Sequence, residues 1–178
     1  MRDVARRETI ERFMDALGRN AREETHIYVT GGATAVLFGW RDSTIDIDIK
    51  MVPDRDDLLR VLPSIKEALH VNVELASPPD FVPVRSDWNE RSPFIRQVGA
   101  ASFHHFDLYA QAVAKIVRGH QQDNQDVRAM ARLGLIAAAE LRQYFAIIEP
   151  DLYRYPALDP VSVRRAVTAF ADSLGTAR

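Results

Sequence analysis

The sequence predicts an α+β fold, with a small mixed β-sheet and its helices over residues 1–106 and a bundle of helices packed on it over 107–178. Three observations lead there. Ser43 to Met51 (STIDIDIKM) and Val71 to Leu75 (VNVEL) alternate apolar and polar residues, the signature of strands with one wet face. Phe94 to Val98 and Ser102 to Phe106 read as a hairpin through Gly99. After Asp107 every segment instead repeats at helical spacing. Strands first and helices afterwards argue for α+β rather than a doubly wound sheet.

Taken in order, residues 3–19 form an amphipathic helix, with Ile10, Phe13, Met14 and Leu17 on one stripe and Gly18 and Asn20 as stop signals. His26 to Thr30 (HIYVT) is a short β-rich run ending in Gly31-Gly32. A small-residue helix follows from Ala33 to Phe38 and stops at Gly39. Beyond the alternating strand, Pro53 and Asp54 open a helix over 54–69, its apolar stripe formed by Leu58, Leu62, Ile65 and Leu69. Ser77 to Ser92 is rich in Pro, Asp and Ser and reads as a long ordered loop or broken edge, with Trp88, Arg91 and Phe94 as its anchors. Helices are expected over 108–119, 123–133, 135–147 and 160–174, with Pro150 to Pro160 as the clearest linker.

Bulk properties narrow the function. Apolar residues make up 47% of the 178-residue chain and charged residues 27%, enough for a packed core. The formal net charge of −2 argues against a protein that coats nucleic acid non-specifically. The absence of cysteine excludes disulfides, thiolate nucleophiles and cysteine zinc sites, and fits a cytoplasmic protein. The N-terminal stretch is charged throughout and has no apolar h-region, so no signal peptide is expected. No apolar run reaches the roughly 18 residues of a membrane span.

Ile45-Asp46-Ile47-Asp48-Ile49 is the most informative stretch. On a strand, Asp46 and Asp48 project to one face and the isoleucines to the other. Two neighbouring carboxylates repel unless neutralised, and Mg²⁺ does this while keeping waters and phosphates among its ligands. The same pattern also arises as plain binary alternation on a solvent-facing strand. Gly31-Gly32, between a strand and a helix, is either a simple tight turn or a place where backbone N–H groups at a helix start meet a phosphate.

The order strand, Gly-Gly, short helix, Gly39, Arg41, Ser43 and D-x-D strand decides more than its parts. Val29 to Lys50 (VTGGATAVLFGWRDSTIDIDIK) resembles the signature of the minimal nucleotidyltransferases of the polymerase-β-like superfamily. The likeness is to bacterial abortive-infection and toxin–antitoxin proteins. Asp107 to Met130 similarly resembles their "K-x-x-R … D-x-x-D" helical hairpin through Lys115, Arg118, Asp123 and Asp126. The superfamily often has a serine after the first glycine; here Gly32 stands there, leaving Thr30 or Thr34 to supply a hydroxyl.

The resemblance implies Asp46 and Asp48 as catalytic, metal-binding residues for two Mg²⁺ ions, with a nucleoside triphosphate as substrate. It implies a third carboxylate on a neighbouring strand. Glu74, which shares its strand face with Asn72, is the first candidate, ahead of Asp80 and Asp107. Gly31, Gly32, Thr34, Arg41 and Ser43 would line the nucleotide pocket, although Arg41 and Ser43 also suit a surface turn. Lys115 and Arg118, three apart on one helix face, could neutralise a triphosphate or pair with Asp123 and Asp126. His104 and His105, adjacent on a strand, point to opposite faces and cannot easily share one ion.

The expected reaction is transfer of a nucleoside monophosphate from a triphosphate to a hydroxyl of RNA, tRNA foremost, or of a protein, with a cognate toxin–antitoxin protein as a further partner. Two alternatives stand beside it: a non-catalytic member of the same fold acting as a binding or regulatory partner, and a plain α+β domain. No motif with stacking aromatics reads a base.

Overall fold

The computed structural model describes residues 3–175, which divide into two compact units. The first comprises the chain up to Ser77 together with Ser92–Phe106; the second comprises Pro78–Arg91 and the chain from Asp107 onward.

The first unit is a five-stranded mixed sheet with three helices. Its strands are β1 (Thr25–Thr30), β2 (Asp46–Val52), β3 (Asn72–Glu74), β4 (Phe94–Val98) and β5 (Ala101–His105), in the order β3-β2-β1-β5-β4. β1 runs antiparallel to β2 and parallel to β5; β2 and β3 are parallel, and β4 and β5 form the antiparallel hairpin. Its helices are α1 (Arg7–Asn20), α2 (Gly31–Phe38) and α3 (Asp56–Ala68). Ile27 and Val29 of β1, Ile47, Ile49 and Met51 of β2 and Phe103 of β5 are buried in one core with Ile10, Phe13 and Leu17 of α1 and Leu58 and Leu62 of α3. β1 and β2 thus give alternate residues to the helices, and the intervening ones face the other way.

Local choices fix α2. Gly39 ends it in the left-handed conformation, φ 90°, and Arg7 of α1 donates to the Leu37 carbonyl, placing a cation at the helix C-terminus. An isolated bridge between Ala5 and Thr44 ties the segment before α1 to the entry of β2.

The second unit is helical: α4 (Leu108–Arg118), α5 (Gln121–Arg132), α6 (Ala138–Ile148) and α7 (Pro160–Gly175), with short 3₁₀ turns at Pro78–Asp80 and Glu149–Arg154. Val113, Ile116, Val127, Met130, Leu141, Phe145, Val163 and Val167 are buried here. Lys115, 6% exposed, donates to Asp126 Oδ2 at 2.6 Å and lies 3.6 Å from Asp123 Oδ1, while Arg118 grips Asp123 with two nitrogens.

One segment departs from the expected boundary at residue 106. Pro78–Arg91 clusters with the helices. Its anchors are polar and distant in sequence: Tyr155 donates to the Pro79 carbonyl at 2.7 Å, and Arg91 pairs with Asp107 at 3.0 Å while its guanidinium lies 5.6 Å from the rings of both Tyr109 and Tyr144. No helix among the described residues is long and apolar enough to cross a membrane.

Candidate active site

β2 carries Asp46, Asp48 and Lys50 on the face away from the core, between buried Ile47, Ile49 and Met51. Register places Asp46 beside Asn72 and Asp48 beside Glu74 on β3, and Thr30 beside Asp48 on β1. Paired residues of neighbouring strands project to the same side. Asp46, Asp48, Asn72, Glu74 and Thr30 therefore share one face of the sheet.

Asn72 organises two of the acids. Its Nδ2 donates to Asp46 Oδ1 at 2.6 Å and to Glu74 Oε1 at 3.1 Å, so the amide stands between the two carboxylates. Among the described residues, no three His, Asp or Glu side chains are drawn together as a ready ligand set. The donors nonetheless suit a hard divalent cation: three carboxylates come from two adjacent strands on one face. Bringing Asp46 and Glu74 onto a common ion requires the Asn72 amide to turn aside.

The glycine turn meets this face at Asp48. Gly31, with φ at +63°, occupies the left-handed region, and a Cβ on it would lie 2.5 Å from Asp48 Oδ2. Only a residue without a side chain allows both the turn and the approach of the carboxylate. A Cβ on Gly32 would lie 2.0 Å from Thr44 Oγ1, with Arg41 Nη1 3.5 Å away. Thr44 in turn donates to the Asp46 carbonyl at 3.1 Å. The start of α2, Arg41, Thr44 and the acidic strand are thus one assembly, and half-buried Ser43 lies beside it in the chain.

Thr34 takes a different position. It is 1% exposed, and its hydroxyl donates to the Val29 carbonyl at 3.1 Å and meets His105 Nδ1 at 3.1 Å. It holds α2 to the sheet. The His105 ring lies 4.4 Å from that of Phe38, and burial lowers its pKa to about 4, with the nearby His104 adding to the effect.

The remaining candidates lie in the helical unit. Asp80 is exposed in the 3₁₀ turn. Asp107 is 1% exposed and caps α4, accepting from Tyr109 N at 2.9 Å and from Arg91; burial raises its pKa. Lys115 and Arg118 are engaged with Asp126 and Asp123. The sequence did not single out Thr44, whose contact with Gly32 is set by tertiary structure. It placed Asn72 on the Glu74 face without a role, although period-2 spacing already aimed both side chains the same way.

The match that gives this sheet and its acid-bearing strand a class is to a nucleotidyltransferase family. The chain belongs to the DUF6036 family, nucleotidyltransferases of unknown function, whose profile matches residues 6–177. Comparison with curated proteins and with solved structures returned no match.

Proposed function

We propose that this protein is a cytoplasmic, magnesium-dependent nucleotidyltransferase that moves a nucleoside monophosphate from a triphosphate to a hydroxyl of RNA or of a protein. The observation that carries the reading is the contact of Gly31 with Asp48, which joins a phosphate-suited helix start to a face bearing three carboxylates. Asp46, Asp48 and Glu74 are the residues that would hold the two ions. Mg²⁺ bound there would offset phosphate charge and make the acceptor hydroxyl more acidic.

The chain's own groups supply the rest. Gly31 and Gly32 let the backbone come close to the triphosphate, and the first N–H groups of α2 face its oxygens. Arg41, over Gly32, adds a guanidinium suited to a phosphate. Ser43 lies at the rim, and Thr34 fixes the angle of α2. Lys115 and Arg118, which the resemblance implies for the triphosphate, are held in ion pairs with Asp126 and Asp123 within the helical unit. Glu74, exposed and beside Asp48, accepts the acceptor's proton. The acceptor oxygen bonds to the α-phosphorus, the bond to the bridging oxygen breaks, and pyrophosphate leaves with that electron pair.

One observation favours a second reading. The Asn72 amide donates to both Asp46 and Glu74 and holds the two acids in place, as suits a non-catalytic member that binds a partner. The resemblance to toxin–antitoxin proteins supports a cognate protein as that partner, and in the enzymatic reading as a regulator.

The test is titration of Mg²⁺ with each of ATP, CTP, GTP and UTP into wild type and the Asp46→Ala/Asp48→Ala variant, with nucleotide transfer to RNA and protein acceptors followed in parallel. Metal-dependent binding and transfer by wild type alone support the enzyme. Equal behaviour of the two proteins removes it. The double variant should fold as well as wild type or slightly better, because it relieves carboxylate repulsion.

A further inference from the structure

The face of the sheet that carries the acids continues across β1 and β5 into a cluster that the nucleotidyl-transfer reading does not use. His26 and Tyr28 of β1 stand beside Ser102 and His104 of β5 by register. Ser102 Oγ lies 2.7 Å from His26 Nδ1 and 3.2 Å from His104 Nε2, so two ring nitrogens from different strands converge on one hydroxyl. The two imidazole centroids are 5.6 Å apart.

The hydrogen-bond pattern fixes what His104 presents. Its Nδ1 faces the Ser92 carbonyl at 3.4 Å, which a nitrogen can satisfy only by donating. In the neutral ring, Nε2 then carries the lone pair and points at Ser102. An imidazole that donates one N–H to a backbone carbonyl while aiming its other nitrogen at a shared point is the usual arrangement of a metal-ligating histidine. The His104 ring is also held in place, with Tyr28 5.4 Å away on one side and the edge-on ring of Phe94 at 5.5 Å. Both histidines remain partly exposed, leaving an ion a way in.

We propose that His26 and His104, with the Ser102 hydroxyl, form a second cation site selective for a borderline divalent metal of the Zn²⁺ type. The donor chemistry separates it from the acidic face: imidazole nitrogens suit Zn²⁺, Ni²⁺ and Cu²⁺, whereas carboxylates suit Mg²⁺. His26 and His104 supply two ligands, Ser102 a third, and water completes the shell. Binding displaces the hydroxyl's hydrogen bonds to both rings, and His26 carries its remaining proton on Nε2.

Zn²⁺ alone is titrated into the full chain by calorimetry, using wild type, His26→Gln, His104→Gln and Asp46→Asn/Asp48→Asn. One equivalent should bind to the aspartate variant and at least that one to wild type, and this equivalent should be weakened at least about tenfold by either histidine substitution, the loss that follows even removal of an outer partner of a ligating histidine. Ring-nitrogen NMR of wild type reads the same site without a variant: Zn²⁺ should shift the His26 and His104 nitrogens and leave His105 unmoved. The proposal is overturned by the absence of saturable binding, by ring nitrogens that do not shift, by full binding in both histidine variants, or by binding lost with the aspartates alone.

Discussion

Gly31 and Asp48 touch through the space a side chain would fill: a Cβ at Gly31 would stand 2.5 Å from Asp48 Oδ2, on a backbone already at φ +63°. Gly31→Ala therefore meets two separate penalties. The left-handed backbone costs an L-residue about 1–2 kcal/mol, and the carboxylate must also move. In a urea-denaturation double-mutant cycle, Gly31→Ala should cost about 2 kcal/mol or more in wild type and about 1 kcal/mol in the Asp48→Ala background. Equal costs would show that the two residues do not feel each other. Triphosphate binding should fail in Gly31→Ala with either residue at 48.

Asn72→Ala removes the donor between Asp46 and Glu74. Without metal, the variant should lose about 1 kcal/mol from the missing hydrogen bonds and the bared repulsion. With saturating Mg²⁺ the deficit should shrink or reverse, because an ion takes the place of the amide. Thermal melts with and without Mg²⁺ measure both. A metal-independent deficit would assign Asn72 to folding alone.

Lys115 is enclosed with Asp126 and Asp123, whose side chains are each 1% exposed. Lys115→Met leaves Asp126 charged and buried, and should cost about 3–5 kcal/mol in chemical denaturation. Asp126→Asn in the same chain should recover part of that loss. If Lys115→Met is instead nearly neutral for folding and weakens nucleotide binding directly, the ammonium acts on the triphosphate.

His105 makes stability depend on pH. Its folded pKa, about 4, lies below the ordinary imidazole value of 6.5, so the folded state favours the neutral ring. The contribution is fully present above pH 6.5 and is lost as pH falls toward 4, because the unfolded chain gains a proton that the folded one refuses. At pH 5 the loss amounts to about 2 kcal/mol. His105→Gln should flatten that part of the pH profile while other titrating groups keep theirs. An unchanged slope between pH 7.5 and 5 would exclude His105 as its source.

The legibility of this molecule in its sequence followed the range of the forces involved. β2 and its two outward aspartates were readable because strand alternation is local and Ile47 and Ile49 mark the buried side. The glycine turn was readable for the same reason. The Asn72 bridge was half-readable: spacing gave its face, but the pairing of β3 beside β2 gave its partner. Thr44 against Gly32 could not be read, since nothing local distinguishes it from Ser43. Pro78–Arg91 has no apolar period and joins the helices through buried Val82 and through polar contacts to Tyr155, Tyr144 and Asp107, all distant in sequence. His104 was judged against its neighbour His105, whereas the imidazole that shares its serine is His26.

The strand order has a consequence for synthesis of the chain. β1 gains β2 soon after it is made, but its other flank pairs Thr25 with Ala101 and waits until β5 emerges from the ribosome. Until then a central strand presents a bare row of amides and carbonyls, the feature that templates intermolecular aggregation. A nascent chain halted before the hairpin should be sticky and dependent on chaperones, and release past His105 should end that exposure in one step.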